Sequence, residues 1–142
     1  MALHDSPVAV LSSGEAWDLL SEQKLGRLAV QSDDELDIFP VNFIVDGDTI
    51  VFRTADGAKL TDLKAHSQVS FEADGWDDTT GFSIVVKGHA SPITSLQEIA
   101  KVEALRLRPW VPTIKTTFVR IIVSSISARR FHFGPDPIVR YR

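Results

Sequence analysis

The chain has no cysteine among its 142 residues. Disulfide bonds, thiolate metal ligands and a cysteine nucleophile are therefore all excluded. Its histidines are His4, His66, His89 and His132, and none of them stands in an HExxH spacing. We therefore expect no metal site of the zinc-enzyme kind.

Positive charge and long apolar runs are also scarce. Lysine and arginine total 15 against 19 acidic residues, which gives a formal net charge of −4 and a pI near 5.5. Since such a chain has no global basic field, we expect no nucleic-acid partner. No apolar stretch is long enough to span a bilayer, and the N-terminus lacks a signal-peptide pattern. We therefore expect a cytoplasmic protein without a membrane partner.

The phosphate-binding motifs of the common nucleotide folds are missing as well. Neither GxGxxG nor GxxxxGK[ST] occurs, which argues against a doubly wound nucleotide-binding domain. Hydrophobic residues make up 44% and charged residues 24% of the chain, as in ordinary globular proteins. The length favours one domain, residues 1–142, with a substantial core.

The order of short apolar runs predicts about six strands and two or three helices. Two helices begin with capping-box patterns, at Ser12 and at Ser95, and Gly26 is expected to end the first helical unit. Pro40 interrupts the second strand and should lie at an edge or a bulge. Because full-length crossover helices do not separate the strands, we predict an antiparallel barrel or sheet with accessory helices. The strand segments are "RLAVQ", "DIFPVNFIVD", "TIVFRTA", "QVSFEAD", "FSIVVKGHASPI" and "TTFVRIIVSSISARRF".

The stretch "TIVFRTADGAKLTDL" carries the clearest chemical signal. Arg53 and Thr54 follow an apolar strand, Gly57 allows a turn, and Lys59 begins a short helix. An arginine fork, a lysine charge and the N–H groups of a helix start together suit a phosphate monoester. The alternative is a solvated strand end with ordinary surface cations. The residues alone leave both interpretations open.

Several segments, taken in order, resemble the pyridoxamine 5′-phosphate oxidase-like FMN-binding split-barrel family. They are "GRLAV", "PVNF", "FRTADGAKL" and "VVKG", and the match extends to the small branch related to nitroimidazole-resistance proteins. The resemblance implies a mainly β fold, a six-stranded antiparallel split β-barrel with peripheral helices. It also implies a homodimer with FMN sites at the interface.

The same resemblance implies roles for particular residues. The strand Phe39–Asn42 would run along the flavin ring, while Phe52, Arg53 and Thr54 would meet the phosphate and ribityl chain. The phosphate turn would include the start of the short helix. The complete set of implied cofactor-binding residues is Phe39, Pro40, Val41, Asn42, Phe52, Arg53, Thr54, Ala58, Lys59, Leu60, Ser83 and Trp110.

Some of these residues keep a second interpretation. Trp110, between two prolines, would stack over a ring or serve as a plain core or interface anchor. His89 suits a structural role better than proton transfer. Arg129 and Arg130 form a cation pair that would bind a cofactor tail or simply end a strand in solvent.

The resulting functional hypothesis is an FMN-binding oxidoreductase that transfers hydride or electrons to an unknown small-molecule acceptor. No acid–base pair is visible, so no catalytic residue is assigned. One alternative is a reductase that uses the deazaflavin coenzyme F420, whose acidic tail would need basic residues such as Lys64, Arg129 and Arg130. Another is a flavin- or haem-binding protein without turnover. The terminal signature of true pyridoxamine-phosphate oxidases is missing, so we do not expect that substrate.

Overall fold

The computed structural model describes residues 6–55, 57–107 and 117–135, without the side chains of residues 58 and 59. Within these residues it contains three helices and seven strands. The helices are α1 (Ser13–Ser21), α2 (Ala58–Ala65) and α3 (Leu96–Ala104). The strands are β1 (Val8–Val10), β2 (Leu25–Ser32), β3 (Glu35–Asp46), β4 (Thr49–Thr54), β5 (Gln68–Trp76), β6 (Thr80–Pro92) and β7 (Thr117–His132).

Antiparallel pairing closes a six-stranded barrel. The order is β7-β4-β3-β2-β5-β6, and β6 returns to pair with β7. This confirms the predicted mainly β antiparallel barrel with peripheral helices. The predicted strand count was one short, because β1 adds to the outer edge of β7 by pairing Val8 with Phe131. A three-residue strand carries almost no alternation, so its pattern could not reveal it.

The barrel opens where the ladder between β3 and β4 ends. These strands pair only from Phe43↔Phe52 to Asp46↔Thr49. Before Phe43, β3 runs beside β2, whereas β4 pairs with β7 along its whole length, from Thr49↔Ile122 to Thr54↔Thr117. Pro40 lies in this diverging part of β3, opposite Arg27 of β2, which agrees with its predicted edge position.

Two apolar clusters hold the fold together. Alternate side chains of the strands fill the barrel, where the rings of Phe43 and Phe71 meet edge to face at 4.9 Å between centroids. A smaller cluster on the outside of the barrel contains Val51, Val102 and Phe118, so that α3 packs over β4 and β7. Burying each such side chain is worth about 1.5–3 kcal/mol.

The helix starts follow the predicted capping signals in part. In α1 the complete box forms, with the Glu15 N–H donating to Ser12 Oγ at 3.2 Å and the Ser12 N–H to Glu15 Oε1 at 3.0 Å. In α3 the Ser95 hydroxyl accepts from the Glu98 N–H at 3.3 Å. The Glu98 carboxylate instead faces Arg120, 3.9 Å from its Nε.

Arg120 ties the β3–β4 hairpin to β7. Its Nη1 donates to Asp46 Oδ2 at 2.9 Å and to Thr49 Oγ1 at 2.6 Å. Because the side chain is largely buried, these charge-assisted bonds help to fix the position of β4. The strand that carries Arg53 is therefore anchored at its opposite end.

The interpretation of Gly26 as a helix terminator was wrong. Helix α1 ends at Ser21, and Gly26 is a buried residue of β2. A Cβ at this position would overlap the ring of Phe71, with Cε2 only 2.7 Å away. The glycine is required because a core aromatic ring packs directly on its backbone.

We therefore predict that Gly26→Ala destabilises the protein by about 2 kcal/mol or more, because the Phe71 ring has to move inside a packed core. The measurement is urea denaturation followed by circular dichroism. Gly14→Ala is the matched control, since no atom lies within 4 Å of its added Cβ. Because Gly14 lies in α1, its replacement by alanine should raise the free energy of unfolding by about 0.5–1 kcal/mol. Equal stabilities of the two variants would contradict the packing argument.

Candidate functional site

The opening between β3 and β4 brings together the two segments that the sequence analysis assigned to a cofactor. Asn42 and Arg53 are the next positions beyond the last pair, Phe43↔Phe52. The segment Phe39–Asn42 therefore lines one side of the opening, and Arg53 with Thr54 lines the other. Helix α2 begins just beyond, at Ala58.

Arg53 is held against β7. Its guanidinium carbon lies 4.7 Å from the centroid of the Phe118 ring, and the two residues are partners in the β4–β7 ladder. A cation over an aromatic face is favourable and restricts the plane of the guanidinium. The side chain is half-buried, so its charge is partly shielded from water at the mouth of the opening.

The start of α2 differs from the starts of the other two helices. Its N-cap is Gly57, which provides no side-chain hydrogen bond, whereas serines cap α1 and α3. The first N–H groups of a helix carry partial positive charge and favour an anion. Together with Arg53, this helix start gives the opening a positive rim on the β4 side.

Thr54 lies beside Arg53 in sequence but on the other face of the strand. It is only 5% exposed, and its Oγ1 donates to the Ala55 carbonyl at 3.2 Å. Neighbouring strand residues point to opposite faces, so the Arg53 and Thr54 side chains do not converge. The hydroxyl fixes the chain where β4 ends and the turn to α2 begins.

The β3 side of the opening presents the backbone of Phe39–Asn42 and one side-chain amide, that of Asn42. Val41 is buried, and so is Phe52 on β4, so their side chains belong to the core. Phe39 packs partly against the same core, and Pro40 is exposed. The half-buried Asn42 donates from Nδ2 to the Lys24 carbonyl at 3.3 Å, which orients its amide.

The remaining predicted residues fall in different places. Leu60 is 7% exposed and contributes to the core from the first turn of α2. Ala58 and Lys59 occupy that same turn, and their side chains lie outside the structural description. Trp110 also lies outside the described residues.

Ser83 is remote from the opening within one chain. It lies on β6 between Asp74 of β5 and Arg129 of β7. It precedes Pro92 by nine residues of strand, roughly 30 Å at the usual rise. Pro92, in contrast, pairs with Val119, close to the Arg53 end of β7. Ser83 and Arg53 therefore do not lie side by side within one chain.

The other cations and the strand histidine also lie away from the opening. Arg129 and Arg130 are adjacent on β7 and so point to opposite faces. Hydrogen bonds from Ser12 lower the pKa of Glu15, and Arg130 adds a smaller contribution. His89 is exposed, with its Nδ1 3.3 Å from Ser67 Oγ, as expected for a structural role.

Sequence reasoning missed a groove next to Arg53. It runs between α2 and α3 over the ends of β6 and β7 and has a volume of about 420 Å³. Phe118, the residue under the Arg53 guanidinium, forms part of its floor. The walls of the groove come together through strand register and helix packing. No local sequence motif predicts either of these. Its lining includes Leu60, Lys64, Ile93, Thr94, Ile99 and Phe118.

The described part of the chain has neither a metal-binding cluster nor a membrane-spanning helix. No group of three or more histidine or acidic residues there is arranged to hold a metal ion. None of the helices there has the length and apolar character needed to cross a bilayer.

Comparison with known proteins identifies the family. The family model described as pyridoxamine 5′-phosphate oxidase matches residues 12–130. The chain belongs to the pyridoxamine 5′-phosphate oxidase-like family. The match covers strands β2 to β6 and β7 as far as Arg130, including both sides of the opening.

Solved structures agree with this assignment. A Corynebacterium glutamicum protein named for pyridoxamine 5′-phosphate oxidase is 43% identical, with a TM-score of 0.85 over 94% of this chain and 99% of that one. A protein from Mycobacterium smegmatis, described as an FAD binding protein, is 38% identical, with a TM-score of 0.72 over 88% and 99%. A Bacteroides thetaiotaomicron structure described as a 5-nitroimidazole antibiotic resistance protein is 12% identical, with a TM-score of 0.70 over 89% and 90%. This last likeness shows the shared split-barrel fold alone.

The turn before α2 generates a prediction. Gly57 has φ +155° and ψ −160°, a backbone region that is essentially restricted to glycine. Gly57→Ala should therefore lower the free energy of unfolding by about 1–3 kcal/mol although its Cβ meets no atom. Gly134→Ala, which also meets no atom and has no positive φ, should leave the urea midpoint unchanged. Identical midpoints for both variants would show that the turn does not depend on this conformation.

Proposed function

We propose that the chain binds a flavin nucleotide through its FMN moiety at the opening between β3 and β4. The observation that carries this proposal is the position of Arg53 and the uncapped α2 start opposite the Phe39–Asn42 segment. One side offers a positive rim for a phosphate, and the other offers a strand edge and an amide for a polar ring. The Mycobacterium smegmatis relative described as FAD binding supports a flavin as the ligand.

Each side of the opening would have a separate task. Arg53, pre-oriented by Phe118, would donate to the phosphate with its planar fork. The first N–H groups of α2, with Lys59 in that turn, would hold the same phosphate. The backbone of Phe39–Asn42 would lie along the ring edge, where the Asn42 amide can accept or donate a hydrogen bond.

The proposed activity is an oxidoreductase that passes hydride or electrons to a small-molecule acceptor. A bound flavin supplies the redox chemistry, and the protein supplies binding, orientation and access. Among the described residues of the opening, none forms an acid–base pair, so the chain's contribution is positioning and electrostatics. Turnover of a nicotinamide donor with an artificial acceptor would separate an enzyme from a flavin-binding protein without activity.

Arg53→Ala tests the phosphate contact. Loss of a charge-assisted hydrogen bond worth about 1.5–3 kcal/mol should lower FMN affinity about tenfold or more. The measurement is fluorescence titration of the flavin-free protein. Lys101→Ala removes one exposed positive charge from α3 and should leave the affinity unchanged. Unchanged FMN affinity in a folded Arg53→Ala variant would reject the phosphate site, and tight binding of coenzyme F420 alone would reject the flavin.

We also propose that the chain forms a homodimer in which Ser83 of one chain would reach the ligand held by Arg53 of the other. The outer face of β2, β3, β5 and β6 exposes apolar side chains, including Ile38 at 70% and Val85 at 37%. On the same face, Arg27 Nη1 lies 2.9 Å from Glu72 Oε1. Partial burial and the nearby Asp74 raise the pKa of Glu72. A face with an apolar centre and an ion pair at its side is suited to a partner of the same kind.

Val85→Asp tests this interface. The proposed dimer would bury this outer face. A carboxylate on it should therefore raise the dissociation constant of the dimer by about a hundredfold or more. Sedimentation velocity of the wild type and the variant, over a range of protein concentrations, measures this dissociation constant. Leu96→Asp, at an exposed leucine in the first turn of α3, is the matched control and should remain dimeric. A wild-type monomer at micromolar concentration would overturn the dimer.

A further inference from the structure

A pocket separate from the groove lies on the β3 side of the opening, at the C-terminal ends of α1 and α3. Its volume of about 410 Å³ is within the usual range of small-molecule pockets. Phe43 and Ile44 of β3 line it, together with Leu107, which follows α3. Ile44 and Leu107 also pack against the outer apolar cluster, so packing fixes one wall of the pocket.

The pocket adjoins the strand edge that we assign to the flavin ring. Phe43 forms the last pair of the β3–β4 ladder, and Asn42 is the next residue along that edge. The Lys24 carbonyl accepts from the Phe43 N–H at 3.2 Å and from Asn42 Nδ2 at 3.3 Å. Lys24 is therefore fixed beside both residues, on the side of the opening away from the proposed phosphate site.

Two cations line this pocket without a matching acid. Lys24 and Arg106 are exposed, and the described lining contains no acidic residue. Within the part of the chain that the structure describes, neither side chain forms a hydrogen bond or an ion pair. Ser21 Oγ and Gln23 Nε2 each donate to a backbone carbonyl of α1, at 2.7 and 3.2 Å. The donors available to a ligand are thus the two cations.

The backbone of Arg106 adds an independent observation. Its φ is +57°, and its N–H donates to the Glu103 carbonyl at 3.1 Å just beyond the end of α3. Glycine is the usual residue at this position after a helix, because a Cβ is strained in the left-handed region. The chain therefore keeps a long cationic side chain where glycine would fit with less strain. Strain of this kind indicates a use for the side chain.

We propose that this pocket holds the small-molecule substrate of the flavin and selects an organic anion with an apolar body, such as an aromatic carboxylate. This inference rests on the proposed flavin function. The apolar body packs on the wall formed by β3 and Leu107, while the Lys24 and Arg106 charges bind the carboxylate. Because the pocket adjoins Asn42, the bound anion lies next to the ring edge.

The competing role for the two cations is to offset the partial negative charge at the C-terminal ends of α1 and α3. In that role, removing either charge lowers the stability of the fold, and the pocket has no preference for anions. Arg106→Gly separates the two roles, because it removes the charge and also relieves the positive φ. We expect the urea midpoint of this variant to be unchanged or higher while its affinity for an anion falls.

The test is calorimetric titration of the FMN-loaded full chain with 2-naphthoate and with its neutral counterpart 2-naphthamide. The naphthoate should bind about tenfold more tightly than the amide, or better. Lys24→Gln and Arg106→Gly should each weaken naphthoate binding about fivefold, as for a partly exposed charge contact, and leave the affinity for the amide unchanged. Lys101→Gln, at an exposed lysine of α3 outside the pocket lining, should change neither affinity.

FMN affinity, measured first in the flavin-free form of each variant, separates this inference from the proposed function. Weakened naphthoate binding with unchanged FMN affinity supports the pocket assignment. Naphthoate that binds no more tightly than the amide, or that binds the variants and the wild type alike, overturns the assignment and leaves the flavin proposal standing. Variants that weaken FMN as strongly as naphthoate place the cations in the flavin site and also overturn it. Failure of FMN to bind the wild type overturns the proposed function, and the substrate assignment with it.

Discussion

The candidate site depends on the point at which the β3–β4 ladder ends. Its last pair is Phe43↔Phe52. Beyond that pair β3 continues beside β2, while β4 stays paired with β7, as it is along its whole length. A closed ladder would leave no room between the strands, because paired backbones lie only about 4.8 Å apart. The divergence places a strand edge and a positive rim on either side of one opening. It also lets α2 start beside Arg53.

The rest of the structure keeps that opening in place. Arg120 anchors the hairpin end of β4 through Asp46 and Thr49, and the cluster around Val102 and Phe118 packs α3 over β4 and β7. Phe118 links this cluster to the guanidinium of Arg53. The cation therefore rests on a packed apolar layer, which limits the rotamer entropy that it would lose on binding an anion.

In the proposed dimer, two chains would share the cofactor site. One barrel places Ser83 and Arg53 far apart, near opposite ends of the β6–β7 ladder, so a ligand that touches both would lie between two barrels. The proposed dimer and the proposed cofactor site are thus coupled. Flavin affinity would depend on protein concentration wherever the dimer dissociates.

The sequence by itself indicated antiparallel strands with accessory helices and the capped starts of α1 and α3, and it suggested the hypothesis of an anion site at the Arg53 turn. These follow from local rules: alternation along strands, serine caps, and a cation next to a glycine turn. Only the tertiary structure decided that the Arg53 guanidinium lies over the Phe118 ring, that Gly26 lies under the Phe71 ring, and that a groove adjoins Phe118. These features depend on strand register and on the packing of distant segments, where a shift of one residue reverses which side chains face the core. Local composition carries little information about such long-range pairings.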